Sequence, residues 1–275
     1  MASVVELNTY PIKGCAAVPL TDAAIGPAGL PDDRTFLIIS PQGVFRSQRA
    51  DPTLALIQPT VSPDQTTLTL QAPGIEPLTV DVDLAAPRRE VLMFNKPYQA
   101  IDQGERAAEW LSTVLGKPSR LTRVPPEHAR ATDGLTPGTS AFADSSAVHL
   151  ASVAALNALN ARITARGTRE LPMTRFRPNI VVDGWADPHH EDEIRRLAVG
   201  SAELGYTKLA IRCAVTLVDQ NAGRRDGPEP LRTLAGYRRA RQGGVSFGIK
   251  LAVLRPGKCS VGDELQVSAW GETEL

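Results

Sequence analysis

Arg175 and Arg177 stand two apart in an RFRPN run that leads into the strand-like IVVDG, and Cys213 closes the apolar stretch KLAIR about one strand pair further on. Guanidinium forks suit bidentate binding of phosphate, and a thiolate is both a nucleophile and a soft metal ligand. If the arginine segment is extended, residues two apart share a face. The three residues together suit a site for an anionic ligand that carries a soft reactive atom. Each also has a bland alternative: surface salt bridges for the arginines, an inert buried thiol for the cysteine. Pro178 rules out a continuing helix beside the arginines, and no CxxC or Cys/His spacing accompanies Cys213, which argues against structural zinc. LAIR before the cysteine and AVTLV after it read as strands. On a strand Arg212 and Cys213 face opposite sides, so adjacency alone does not activate the thiol.

The elements that must position these residues come from a chain of 275 residues, 42% hydrophobic, long enough for a substantial core in two domains, expected at 1–124 and 125–275. The formal charge is zero, from 30 basic and 30 acidic residues, which excludes a globally basic nucleic-acid binder. Six of the basic residues are lysines, leaving 24 arginines, a bias that suits oxyanion binding and equally a codon preference. MASVVELNTY lacks a basic n-region and a long apolar h-region, and no segment offers a membrane-length apolar run. A soluble, cytoplasmic protein without a membrane partner is therefore expected. Three widely spaced cysteines, Cys15, Cys213 and Cys259, argue against a disulfide framework.

VVELNTYPIKG alternates as a strand and breaks at Pro11, leaving Lys13 and Gly14 on a turn where a lysine either meets phosphate or is simply solvated. PDDRTFLIISPQGVFRSQR predicts a hairpin around Pro-Gln-Gly, with Arg34 at its start and Arg46 and Arg49 near its end. TLTLQ, LTVDVD and VLMF add short strands, the spacing of a barrel or curled sheet rather than βαβ units. DQGERAAEWLSTVLG predicts an amphipathic helix capped by Asp102 and stopped at Gly116. Residues 125–140 are Pro- and Gly-rich and read as a long loop at the domain boundary. HLASVAALNALNARITARG predicts a helix N-capped by Ser152, whose N-terminus favours anions. The consecutive HHEDE, His189–Glu193, reads as a solvated turn rather than a metal site. RRDGPEP reads as a charged loop bordering the pocket, LRTLAGYRRARQGG as a short helix, and FGIKLAVL and DELQVSAW as closing strands. No GxGxxG, Walker-type loop, HExxH or local Ser-His-Asp motif occurs.

FRPNIVVDG, the acidic pair Glu191–Asp192, RCAVTLVD, LRTLAGYR and SVGDELQV resemble the MOSC domain, the module of molybdenum cofactor sulfurase C-termini. YPIKGC, DRTFLIIS and FRSQRADPTLALI are similar to the β-barrel domain that precedes MOSC in amidoxime-reducing and related proteins. The resemblance implies an α+β, predominantly β chain: an N-terminal β-barrel-like domain, then a MOSC β-barrel domain with peripheral helices. It implies the molybdenum cofactor (molybdopterin), with Cys213 as catalytic metal ligand and Lys13, Gly14, Arg34, Ser152, Arg177, Asn179 and Arg212 around the cofactor. Gly14 stands where relatives usually carry serine, and Ala154 and Ala155 stand where other phosphate-binding hydroxyls would sit, so Ser152 is either a cofactor contact or only a cap. Glu191 and Asp192 take a supporting structural role in this reading. Pyridoxal phosphate binding is carried over from the sulfurases. The implied activity removes oxygen from an N-oxygenated small molecule with two electrons. The chain ends soon after the resemblance without a ferredoxin-like extension, so electrons are expected from a separate donor protein. The alternatives are a non-catalytic carrier of cofactor or sulfur, and a pathway-specific enzyme that has kept the fold and lost the cofactor.

Overall fold

The computed structural model describes residues 1–275, with 41% of them in strands and 16% in helices, the predominantly β fold expected. The first half supplies β1 (Ser3–Thr9), β2 (Val18–Leu20), β3 (Asp22–Ile25), β4 (Phe36–Ile39), β5 (Gln58–Val61), β6 (Thr67–Ala72), β7 (Ile75–Asp81), β8 (Arg88–Met93), β9 (Lys96–Asp102), helix α1 (Glu105–Leu115) and β10 (Arg120–Arg123). The second supplies β11 (Ala131–Thr132), β12 (Gly138–Thr139), β13 (Val148–Ser152), α2 (Val153–Thr164), β14 (Ile180–Asp183), β15 (Ile194–Val199), β16 (Ala202–Arg212), β17 (Val218–Asp219), β18 (Arg224–Arg225), α3 (Leu231–Leu234), β19 (Val245–Arg255), β20 (Gly257–Ser260) and β21 (Leu265–Trp270). No helix is long and apolar enough to cross a membrane.

The largest sheet runs β2-β1-β14-β13-β19-β16-β15-β21. Its first two strands come from the N-terminus, and β3 pairs with β20, so the expected division at residue 124 is crossed by backbone hydrogen bonds. The cause is the apolar pattern of β1: Val4 and Leu7 are buried in one cluster with Leu150, Ile180 and Leu251. Leu7 lies opposite Ile180, which fixes the register of β1 on β14 and the place where Lys13 emerges. A smaller core of Ile12, Phe36, Leu54, Trp110 and Leu111 fills the first half beneath α1.

Several local expectations meet tertiary structure differently. Helix α2 begins as expected, with Ser152 Oγ accepting from Ala155 N–H at 3.1 Å. Helix α1 is not capped by Asp102, which ends β9 and accepts from Gly104 N–H at 3.0 Å while pairing with Arg89 and Arg120. The second hairpin strand is reduced to an Ile39–Phe45 bridge, because Val44 turns to pair with Leu92. AVTLV is not one strand: β16 stops at Arg212, Ala214–Leu217 winds into a 3₁₀ turn behind Cys213, and only Val218 enters a strand, β17.

HHEDE is also not a solvated turn. His190–Glu193 is a 3₁₀ turn in which Glu191 and Asp192 are buried. Glu191 accepts from Ser152 N–H at 3.2 Å and from Ser152 Oγ–H at 2.8 Å, and Asp192 accepts from Arg238 Nη2 at 2.6 Å. Burial, reinforced by the charge of Asp192, pushes Glu191 up to about 7. That folded-state value lies above the ordinary carboxylate value, so the stabilising contribution is complete in acid and is lost as pH rises through about 7. Glu191→Gln should therefore show a smaller drop in Tm than the parent between about pH 5 and about pH 8, measured by thermal melts; an identical drop would mean that Glu191 is not the titrating group.

Candidate functional site

Two arginines meet over one phenol ring. The guanidinium carbons of Arg34 and Arg177 each lie 4.3 Å from the centroid of Tyr10, whose hydroxyl donates to Pro178 O at 3.1 Å. Asp33, buried, holds Arg34 Nη1 through both carboxylate oxygens at 2.8 and 2.6 Å and also accepts from Tyr10 N–H at 3.1 Å. Burial would lower the Arg34 pKa, but Asp33 lifts it above its ordinary value. Arg177 has no such counterion, and burial brings it down to about 10. Its Nη1 donates only to Gln220 Oε1 at 3.3 Å, and Gln220 exchanges amide hydrogen bonds with Gln48 at 3.0 and 2.9 Å.

These groups form one wall of a cavity of about 290 Å³. Lys13, Arg34, Arg49, Arg177, Lys208, Arg212 and Lys250 line it against a single carboxylate, Asp144, and Cys213 lines it too. A chain with no net charge places seven of its 30 basic side chains around one cavity, together with its one partly exposed thiol. Lys13 Nζ donates to Phe142 O at 2.8 Å and to Asp144, and burial holds its pKa below the ordinary value. Asp144 stands exposed at the rim, and the Lys13 ammonium beside it holds its carboxyl below the ordinary value. Burial, then repulsion by Arg212 and Arg34, brings Lys250 down to about 7. Burial and the Lys250 charge keep His149 well below its usual value and therefore neutral. Close approach of β19 to β13 requires Gly248, since a Cβ there would fall 2.4 Å from Leu150 O and 2.9 Å from His149 Nε2. A second cavity of about 300 Å³ backs onto Arg177 and Gln220 but holds no thiol and no other cation.

Of the residues expected from sequence, Lys13, Gly14, Arg34, Arg177, Arg212 and Cys213 line the first cavity. Ser152 and Asn179 do not. Ser152 is buried under α2 and committed to Glu191, which leaves it a cap. Asn179 works from behind: its Oδ1 accepts from Arg34 Nη1 and His149 N–H, both at 3.1 Å, and its Nδ2 donates to Asp33 at 2.9 Å. Arg175 and Arg177 share no face, because Met173–Arg175 is a 3₁₀ turn and Arg177 has φ +55°. Arg175 points away and pairs with Asp226 at 2.7 Å, which draws RRDGPEP off the pocket. Gly14 has φ +86°, a conformation that suits glycine and strains serine, and its carbonyl accepts from Gln48 Nε2 at 2.6 Å. Sequence reasoning missed His149, Lys208, Lys250, Gln48, Phe45 and Phe94. The one local sign of Lys250 is a lysine set inside the apolar FGIKLAVL run.

Residues 1–118 match the MOSC N-terminal beta barrel domain and residues 137–266 the MOSC domain. Mitochondrial amidoxime-reducing component 1 of Mus musculus is 33% identical, over 96% of this chain and 81% of that protein. Mitochondrial amidoxime reducing component 2 of Rattus norvegicus is 30% identical, over 96% of this chain and 82% of that protein. Molybdenum cofactor sulfurase of Danio rerio is 32% identical over 91% of this chain but only 32% of its own length, so the chain spans about a third of that relative. Pyridoxal phosphate belongs to the sulfurase domain of such proteins, outside the matched part, and that expectation is withdrawn.

The cavity fits the molybdenum cofactor on its own residues. No group of three His, Cys, Asp or Glu side chains is placed to hold a metal. A metal held here through Cys213 would need its other donors from the group that carries it. Arg212, which lines the cavity, donates through Nη2 to Phe176 O at 2.8 Å and has no carboxylate partner, while its buried Nε is without a hydrogen bond. Pyrophosphate titrated into the protein should raise Tm by mass action. Its affinity should fall roughly tenfold between about pH 6 and about pH 8.5, because Lys250 loses its charge through about 7. Lys250→Met should remove most of that pH dependence in calorimetric titrations, and an unchanged profile would remove Lys250 from the anion site.

Proposed function

The chain belongs to the family that joins a MOSC N-terminal beta barrel domain to a MOSC domain, and from that premise we propose a molybdenum-cofactor oxidoreductase that reduces N-oxygenated small molecules. The observation that carries the proposal is the meeting of Cys213 with seven cationic side chains in one cavity of a neutral protein. Reduction of an N-hydroxylated compound consumes two electrons and two protons and releases water. When bound, the cofactor supplies the two-electron centre for that exchange. The protein supplies the rest.

Cys213 Sγ offers the protein ligand at a strand end, where the 3₁₀ turn behind it sets its direction. Arg177 and Arg212, each lacking a carboxylate partner, and Lys13 hold the phosphate-bearing part, with Gly14 contributing backbone only. Asp33 and Asn179 orient Arg34 rather than touching the ligand. Lys250 Nζ, poised near neutrality, carries a proton that the departing oxygen can take up. Electrons come from a separate donor protein, and three unpaired cysteines suit the cytoplasmic location that belongs to this proposal. The reading in which the cofactor has been lost rests on Gly14, Ala154 and Ala155; the positive φ at Gly14 gives that one residue a backbone reason, and the two alanines still favour it.

The test is metal and pterin content, with hydroxylamine reduction under an artificial donor, after expression with molybdate in a host that makes the cofactor. The parent should carry near-stoichiometric molybdenum. Cys213→Ala should retain less than about a tenth of it with little change in Tm, since a small, part-exposed thiol contributes little packing. Metal retained at the parent level would overturn the ligand assignment. Arg177→Met should weaken cofactor retention about tenfold or more, through one lost charge-assisted contact, as read from pterin released on dialysis.

A further inference from the structure

The hairpin β8–β9 closes at Met93–Lys96 and leaves Phe94 and Asn95 as a two-residue turn with φ +54° and +61°. Such turns favour Asn-Gly, and a bulky phenylalanine at the first position is a backbone outlier. Phe94 is also 40% exposed, so burial does not explain it. Its ring leans on Phe45 with centroids 4.8 Å apart at 59°, and both rings line the cavity that holds Cys213. Lys13 Nζ and the Arg49 guanidinium lie 5.3 and 5.5 Å from the Phe94 centroid.

The cavity therefore has two zones. Buried Arg177 and His149 form its floor, while exposed Phe94 and Ile211 stand at its mouth. A small molecule that enters past this mouth meets the Phe94 and Phe45 rings as the exposed aromatic part of the lining that also holds Cys213. Lys13 and Arg49 beside the platform disfavour a cationic body, and the rim's one carboxylate, Asp144, is committed to Lys13. We propose that Phe94, supported by Phe45, is a specificity-determining platform that selects uncharged substrates with a planar aromatic ring next to the N–O group. This rests on the reductase reading above and names the substrate class for the same site.

The test pairs benzamidoxime with acetamidoxime in cofactor-loaded protein under reduced viologen. Alongside it, saturation-transfer NMR compares benzamide with acetamide on the full chain as purified, which reads binding without turnover. Phe94→Asn suits the turn, because asparagine tolerates positive φ, so Tm should hold or rise. In this variant the ratio of kcat/KM for the aryl over the alkyl amidoxime should fall about tenfold, mainly through KM, as expected for one lost aromatic contact. The benzamide signal should weaken in parallel, and Phe94→Tyr should keep both. A parent-like ratio and parent-like benzamide binding in Phe94→Asn would overturn the platform, as would an equal loss for both amidoximes. If the parent reduces neither amidoxime yet binds benzamide through Phe94, the reductase reading fails and the platform stands.

Discussion

Like charges do not gather unaided, and the cavity exists because Tyr10 and Asp33 let Arg34 and Arg177 share a small volume. The phenol ring offers its electron-rich face to both guanidinium groups at 4.3 Å. Asp33 neutralises only Arg34, in a nearly dry ion pair with side chains 12% and 1% exposed. Arg177 is left with a ring, an amide oxygen and a burial cost that has no full compensation. This asymmetry makes Arg34 a strut and leaves Arg177 without a counterion at the cavity wall. Arg212, which also has no carboxylate partner, lines the same cavity next to Cys213 in the chain.

The site also depends on both halves of the chain being locked together. Lys13, Arg34, Gln48 and Phe94 come from the first half, and His149, Arg177, Cys213 and Lys250 from the second. Pairing of β1 with β14 brings the Lys13 turn beside the Arg177 loop, and the Gln48–Gln220 amide exchange ties the halves at the cavity wall. A slip of one residue in β1 would turn Val4 and Leu7 outward and carry Lys13 away. The packing that stabilises the sheet is the same packing that assembles the site.

Backbone strain collects at the same place. Seven residues other than glycine have positive φ, and Arg34, Phe94 and Arg177 are the three that line the cavity. Arginine and phenylalanine gain nothing locally from that conformation. Surrounding hydrogen bonds hold it: Arg34 N–H donates to Tyr10 O at 2.7 Å, and Arg177 O accepts from Arg34 Nη2 at 3.3 Å. Strain concentrated around one pocket is how a fold aims side chains that regular strands would point elsewhere.

What can be read along the chain is what depends on neighbours along the chain. The 3.6-residue pattern and Ser152 cap of α2, the stop of α1 at Gly116, the strand character of β1 and the apolar runs of β16 and β19 follow from local rules, whereas the bulge that turns both Val4 and Leu7 inward does not. The candidate set held Lys13, Arg34, Arg177, Arg212 and Cys213 because each sits in a motif that carries the family resemblance. Only tertiary structure separated Arg177 from Arg175, moved Ser152 and Asn179 out of the cavity, and buried Glu191 and Asp192. Only tertiary structure added Lys250, His149 and Phe94, whose surroundings in sequence look like ordinary strand and turn. The physical reason is that a residue's charge cost, partner and direction are set by atoms tens to hundreds of residues away. Positive φ at bulky residues has no signal in local propensity at all.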